Sequence, residues 1–310
     1  MPMLGFNINP GLGPETGGAF RNRMLAGLAA LFLFLGGLAM WNYQVSRSYI
    51  YSAVREVIKT GTLLKVRNME KLEGRHFTVY YQAEDKKMAP LVLDTAEKFY
   101  QPVVGRLAFT PKAKVPVIIY PTREDLGRTF GWEADESAMG VYWAGVIRVL
   151  SPQQWVDADD PEEMGHIFET TGPMAHEFTH LVIDYRTRGN YPRWFTEGVA
   201  QYEEYLLTKF LFQEPGSSLD QPLYPFAEMD ANFDYLPNQG LAYRQSLVAI
   251  QYLVEKYGQP KLDEILTNLG RGMSLNRSFK EVIGVNIKGF EKEYYLWLQE
   301  NMDRVNHQAS

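Results

Sequence analysis

The longest unbroken apolar stretch lies near the start of the chain, where residues 24–41, MLAGLAALFLFLGGLAMW, carry no charged or strongly polar side chain over 18 positions. As a helix rising ~1.5 Å per residue the run is ~27 Å long, close to the ~30 Å hydrocarbon layer of a bilayer, so it predicts one transmembrane helix. Arg21 and Arg23 precede it, and Trp41 and Tyr43 close it as interfacial aromatics do. The run is apolar all round, which excludes an ordinary amphipathic surface helix. A cleavable secretory signal, with Gly37 and Ala39 before the cut, is the competing reading. Against it, the run exceeds the usual signal core, and bulky Met40 and Trp41 would follow the cut. Residues 1–23, rich in Gly and Pro and without period, are expected to form a flexible cytoplasmic tail. Residues 24–43 are then the anchor, and the rest of the chain lies outside the cytoplasm on a single-pass cell-membrane protein.

Beyond the anchor the periodicity changes. Ile50, Val54, Val57 and Ile58 fall at i, i+4, i+7 and i+8, which suits an amphipathic helix within a stalk over residues 44–74. HFTVYYQ at 76–82 reads as a strand. Lys86–Leu107 follows as a long helix interrupted near Pro102, and VPVIIY at 115–120 as a buried strand, giving a β-α-β opening. Thr122 and Asp125 have capping-box spacing before a short helix, and Val141–Leu150 holds a turn at Ala144-Gly145 between two strand-like runs. Residues 151–170, with five acidic side chains from Asp157 to Glu163, read as a polar connection. Helical periodicity then dominates over 173–187, 192–207, 241–257, 260–269, 274–283 and 288–303. A sheet-bearing first half and a helical second half predict an α+β domain over residues 75–304, without internal repeats.

Composition narrows the chemistry. A 310-residue chain with 45% hydrophobic side chains can bury a substantial core, and a net charge of −6 without any polycationic run argues against nucleic acid as a partner. There is no cysteine, so a metal site must be built from Asp, Glu and the five histidines His76, His166, His176, His180 and His307.

Two of those histidines have a spacing with chemical meaning. HEFTH at 176–180 puts two imidazoles one turn apart on one helix face, where both can reach one metal ion. Glu177, one position round, can approach a water at that metal without being a ligand, as a general base must. Gly172-Pro173 starts this helix and Gly189 stops it, while Met174, Phe178, Leu181, Val182 and Tyr185 form its core stripe. Seventeen residues after His180 comes Glu197, on a second predicted helix opened by Pro192 and folded back by a turn at 188–191. Gly198 beside it permits close helix approach. Two neutral imidazoles and one carboxylate leave a fourth position free, the open arrangement of catalytic zinc.

GPMAHEFTH, then PRWFTEGVAQY, then the helix LAYRQSLVAIQYLVEKYG together resemble the gluzincin metallopeptidases, specifically the bacterial peptidase MA-like domain family, across most of residues 75–303. The resemblance implies a zincin-like fold with Zn2+ held by His176, His180 and Glu197. It also implies Glu177 as general base and proton shuttle, and a peptide or protein substrate. An oxyanion-stabilising donor is expected, and Tyr243, at the start of the third helix, is the candidate, with a core tyrosine as the plainer alternative. Asp184, one turn past His180, is either a carboxylate that orients that ligand or a solvated helix-end group. His166 could line the cleft or be an ordinary loop histidine, and His76 and His307 have no motif around them. The strand in Val141–Leu150 could pair with an extended peptide or be a plain sheet edge. SAMGVYWAG lacks the glutamate with which aminopeptidase relatives hold a substrate amine, which favours endopeptidase action. The rival functional reading is a noncatalytic zinc domain that binds peptides at the membrane, although such a scaffold has no use for Glu177.

Overall fold

The computed structural model describes residues 43–131, 138–211 and 216–307. The apolar run 24–41 and the tail before it lie outside the described residues; among the described residues no helix is long and apolar enough to cross a membrane. The described residues from Ser48 onward form one compact unit.

Helix α1 spans Tyr43–Lys65 and is followed by strands β1 (Glu70–Glu73) and β2 (Phe77–Tyr81), helix α2 (Met88–Arg106) and strand β3 (Val115–Tyr120). Helix α3 (Arg123–Phe130), strands β4 (Gly140–Trp143) and β5 (Val146–Leu150), and helix α4 (Pro161–Thr171) complete the first half. The five strands form one mixed sheet in the order β1-β2-β3-β5-β4. β2, β3 and β5 run parallel, with Phe77 opposite Val115 and Val117 opposite Ile147, while β1 and β4 are antiparallel edges. The expected β-α-β opening is therefore present. Parallel central strands must be covered on both faces, which is why VPVIIY reads as a continuous apolar run: five of its six residues are buried. On one face Phe77 meets Phe178 at 5.1 Å between ring centroids. The hairpin between β4 and β5 turns on Ala144 and Gly145, both at positive φ (49° and 81°), the two left-handed positions a tight hairpin requires.

Helices α5 (Met174–Thr187), α6 (Arg193–Thr208), α7 (Phe226–Asn232), α8 (Gln239–Tyr257), α9 (Gln259–Gly270), α10 (Leu275–Ile283) and α11 (Ile287–His307) make the second half, so the molecule is α+β with a helical C-terminal half. The side-chain cap expected at Thr122 is present, accepting from the Asp125 N–H at 3.1 Å.

Two local expectations need correction. Pro102 does not interrupt α2, because the proline lies on the exposed side, where the carbonyl it leaves unpaired can reach water. Phe99, Tyr100, Val103 and Val104 on either side stay buried, and that packing outweighs the ~3 kcal/mol a helix-interior proline costs. The supposed polar connection contains α4, started by Asp160 as N-cap with Pro161 in the first turn and pinned by Phe168, which is fully buried. Within the segment expected to be a stalk, α1 packs on the domain from Ser48 onward, and its polar residues face inward. Arg55 Nη1 reaches Asp184 Oδ2 at 3.0 Å, Tyr51 donates to Asp184 Oδ1 at 2.8 Å, and Lys59 donates to Tyr185 Oη at 3.1 Å.

Candidate metal centre

α5 and α6 run back against each other through the turn after Thr187, where Arg188 adopts the left-handed conformation that ends α5. Gly198 sets the next layer: a Cβ there would sit 2.4 Å from the Ser246 carbonyl oxygen and 2.7 Å from Ile250 Cγ1, so α6 and α8 touch at backbone distance. This packing brings the sequence-predicted residues together. His176 Nε2 and His180 Nε2 are 3.0 Å apart, and Glu197 Oε2 lies 3.2 Å from the first and 3.4 Å from the second. Among the described residues these are the one group of three or more side chains able to hold a metal ion.

The triangle fits zinc. Tetrahedral bonds of ~2.0–2.1 Å place neighbouring donors about 3.3 Å apart, and three donors leave one corner for a water or substrate. Each candidate ligand is also held from behind. Nδ1 of His180 lies 2.8 Å from Thr196 Oγ1 and Nδ1 of His176 lies 3.1 Å from Glu204 Oε2, and an Nδ1–H given to each of these oxygens would leave both Nε2 lone pairs free for a metal ion. Arg193 reaches Glu197 Oε1 at 3.1 Å, holding the carboxylate with its other oxygen toward the imidazoles.

Electrostatics favour a cation at this point. Burial opposes a charge on His176, yet the carboxylates of Glu204 and Glu197 outweigh it and lift the imidazole well above its ordinary range. Burial alone would raise the Glu197 carboxyl; the Arg193 guanidinium and the two imidazoles outweigh it and hold the group well below the usual carboxylate range.

The triangle opens into a cleft of about 800 Å³, lined among others by Glu177, Tyr142, Arg193, Asp234 and Tyr243. A second hollow of about 410 Å³ adjoins it at Gly140, His176, Glu177, Gln239 and Tyr243. Glu177 accepts the Tyr142 backbone N–H at 2.5 Å, so the general-base candidate is fixed against edge strand β4. Tyr243 stands in the cleft with its oxygen accepting from Arg193. The charge of Glu197, then burial, push its phenol upward, so it stays protonated and can donate.

The other candidates fall elsewhere. Asp184 neither orients His180 nor meets solvent: it is fully buried beneath Arg55, Tyr51, Tyr142 and Tyr191, and Thr196 occupies the orienting position instead. His166 is exposed on α4, away from the lining of the cleft. His76 pairs with Glu97 at 2.7 Å and stacks on Tyr100. The side chain of His307 lies outside the described residues. Thr196, Arg193 and Glu204 were missed from sequence, though the signal was present. Arg193, Glu197, Gln201 and Glu204 fall at i, i+4, i+8 and i+11, a polar stripe along one face of α6, and its last three members are buried.

Residues 163–300, which include α5, α6 and α8, match the family model of the Peptidase MA superfamily, whereas the five-stranded sheet lies N-terminal to the matched part. The chain is also similar to the uncharacterized protein YhcO of Bacillus subtilis (strain 168), at 20% identity over 291 residues that cover 88% of this chain and 87% of that protein.

Proposed function

We propose that this chain is a zinc-dependent metallopeptidase of the gluzincin type, cleaving peptide bonds within a peptide or protein substrate. The observation that carries the reading is the triangle of His176, His180 and Glu197 donor atoms, 3.0–3.4 Å apart at the floor of a cleft with Glu177 beside it. Bound there, zinc would supply a Lewis acid that polarises a carbonyl and acidifies water.

The remaining roles belong to the protein. Glu177 accepts the proton of the attacking water and returns it to the leaving amine, and its bond to the Tyr142 N–H holds one carboxylate oxygen in place. Glu204 fixes the tautomer of His176, and Thr196 holds the ring of His180 in place. Tyr243, polarised by Arg193, donates toward the oxygen that gains charge. β4, which among the described residues pairs with β5 alone, offers beyond the Tyr142 N–H taken by Glu177 a backbone edge along which an extended peptide can pair. The uncharged run 24–41 supports anchorage in the cell membrane with this cleft outside the cytoplasm.

Purified full-length chain is to be incubated with unfolded casein and with muropeptides, with and without a chelator. Chelator-sensitive casein cleavage is expected. Cleavage of muropeptides alone would reassign the substrate, and zinc binding without turnover of either would point to the noncatalytic peptide-binding alternative.

A further inference from the structure

Helix α1 is amphipathic in the reverse of the usual sense. Ser48, Arg55, Lys59 and Thr62 face the domain, where Arg55 is 7% exposed and bonded to Asp184, and where Thr62 accepts from buried Arg148. The apolar side chains point away: Ile50 is 63% exposed, Val57 70% and Leu64 58%. A helix at a water-facing surface has the opposite arrangement, so this face is shaped for an apolar neighbour. The spacing says which kind. Ile50, Val54, Val57, Gly61 and Leu64 follow one another at intervals of four, three, four and three residues, the heptad seam of a two-helix coiled coil, with β-branched Val54 and Ile50 in seam positions. Arg47, one seam position earlier, ends the stripe with a charge.

Gly61 adds an independent reason. A Cβ on it would meet nothing within 4 Å, so no contact among the described residues requires glycine. A glycine in mid-helix costs about 1 kcal/mol relative to alanine. Close approach of a second backbone at that point would offset that cost.

We propose that this face of α1 is a self-association seam on which a second copy of the chain packs its own α1 in parallel, residue against identical residue about a two-fold axis. Copies that enter the same membrane through the run 24–41 would arrive in parallel, and their confinement raises effective concentration. A helix pair of this length, about 21 Å, buries on the order of 1,000 Å² in total, at the small end of specific interfaces. The association is therefore weak in dilute solution and is to be tested in cells.

The chain has no cysteine, so single cysteines report without background. Full-length Ile50→Cys, Val57→Cys and Leu64→Cys are to be oxidised in whole cells with copper phenanthroline beside Glu56→Cys, an exposed position off the stripe. Disulfide dimers at all three stripe positions, at least tenfold above the Glu56→Cys control, are expected. Dimers at Val57→Cys alone would mean an antiparallel pair and overturn the parallel register. No dimers, with Val57→Cys promptly modified by a water-soluble maleimide, would mean an open face and overturn the proposal. No dimers with Val57→Cys shielded from the maleimide would assign the face to the lipid surface and overturn self-association.

Discussion

Arg55→Met tests whether α1 is part of the domain or an attachment to it. Arg55 is nearly buried and Asp184 completely so, and their contact at 3.0 Å is reinforced by a bond from Arg55 to the Asp184 carbonyl. Removing one partner of such a pair leaves a buried charge behind, which costs about 3–5 kcal/mol. Three tyrosine hydroxyls, from Tyr51, Tyr142 and Tyr191, still donate to the carboxylate, and hydrogen bonds to a charged acceptor contribute roughly 1.5–3 kcal/mol each. The loss is therefore expected at the lower end, about 3 kcal/mol, a factor of about 10² in the folding equilibrium and a sizeable part of the ~5–15 kcal/mol that domains possess. Urea denaturation of the detergent-solubilised full chain, followed by circular dichroism, reads the change as a lowered midpoint at constant slope. Asp184→Asn and the double variant complete the cycle, and the double is expected to be more stable than additivity predicts by at least about 1.5 kcal/mol. A loss below about 1 kcal/mol for Arg55→Met, the value of an exposed pair, would refute the placement of α1 in the folded unit.

Three further outcomes follow from the geometry. Glu204→Gln and Thr196→Val should each weaken zinc binding by about 10–100-fold in a competitive chelator titration; unchanged affinity would mean that these side chains do not orient the imidazoles. Burial pushes the Glu203 carboxyl up to about 7 against the pull of Arg106. Because its folded value lies above its unfolded one, the group's contribution is fully present below about pH 4.5 and is lost as pH rises through about 7, a decline of up to about 3 kcal/mol. Glu203→Gln should flatten that slope in denaturation curves between about pH 5 and 8, and an unaltered slope would remove Glu203 as its source. Gly198→Ala, whose Cβ would meet the Ser246 oxygen at 2.4 Å, should cost about 1–3 kcal/mol and lower zinc affinity by shifting Glu197; a variant of wild-type stability would show that α6 and α8 have room to spare.

What could be read from the sequence was whatever a local period expresses. HEFTH declares two imidazoles on one helical face, and Glu197 follows on a helix that the turn at 188–191 must return to the first, so the three candidate ligands were legible before any tertiary information. Asp160-Pro161 was a readable helix start overlooked among acidic neighbours. Asp184 was not readable, because its four side-chain partners come from α1, β4 and the turn before α6. The orientation of α1 was equally hidden: its period shows an apolar stripe but cannot say that the opposite, polar face is the one drawn in by a buried carboxylate.

The proposed activity depends on one metal triangle with Glu177 as the base beside it, and zinc content measured together with turnover in the same preparations tests both parts. Mass-spectrometric metal analysis is expected to find one zinc per chain in the wild type and in Glu177→Gln, and much less in His180→Ala, while only the wild type hydrolyses unfolded casein. Wild-type protein that takes up no zinc, or Glu177→Gln that cleaves casein at the wild-type rate, would contradict it.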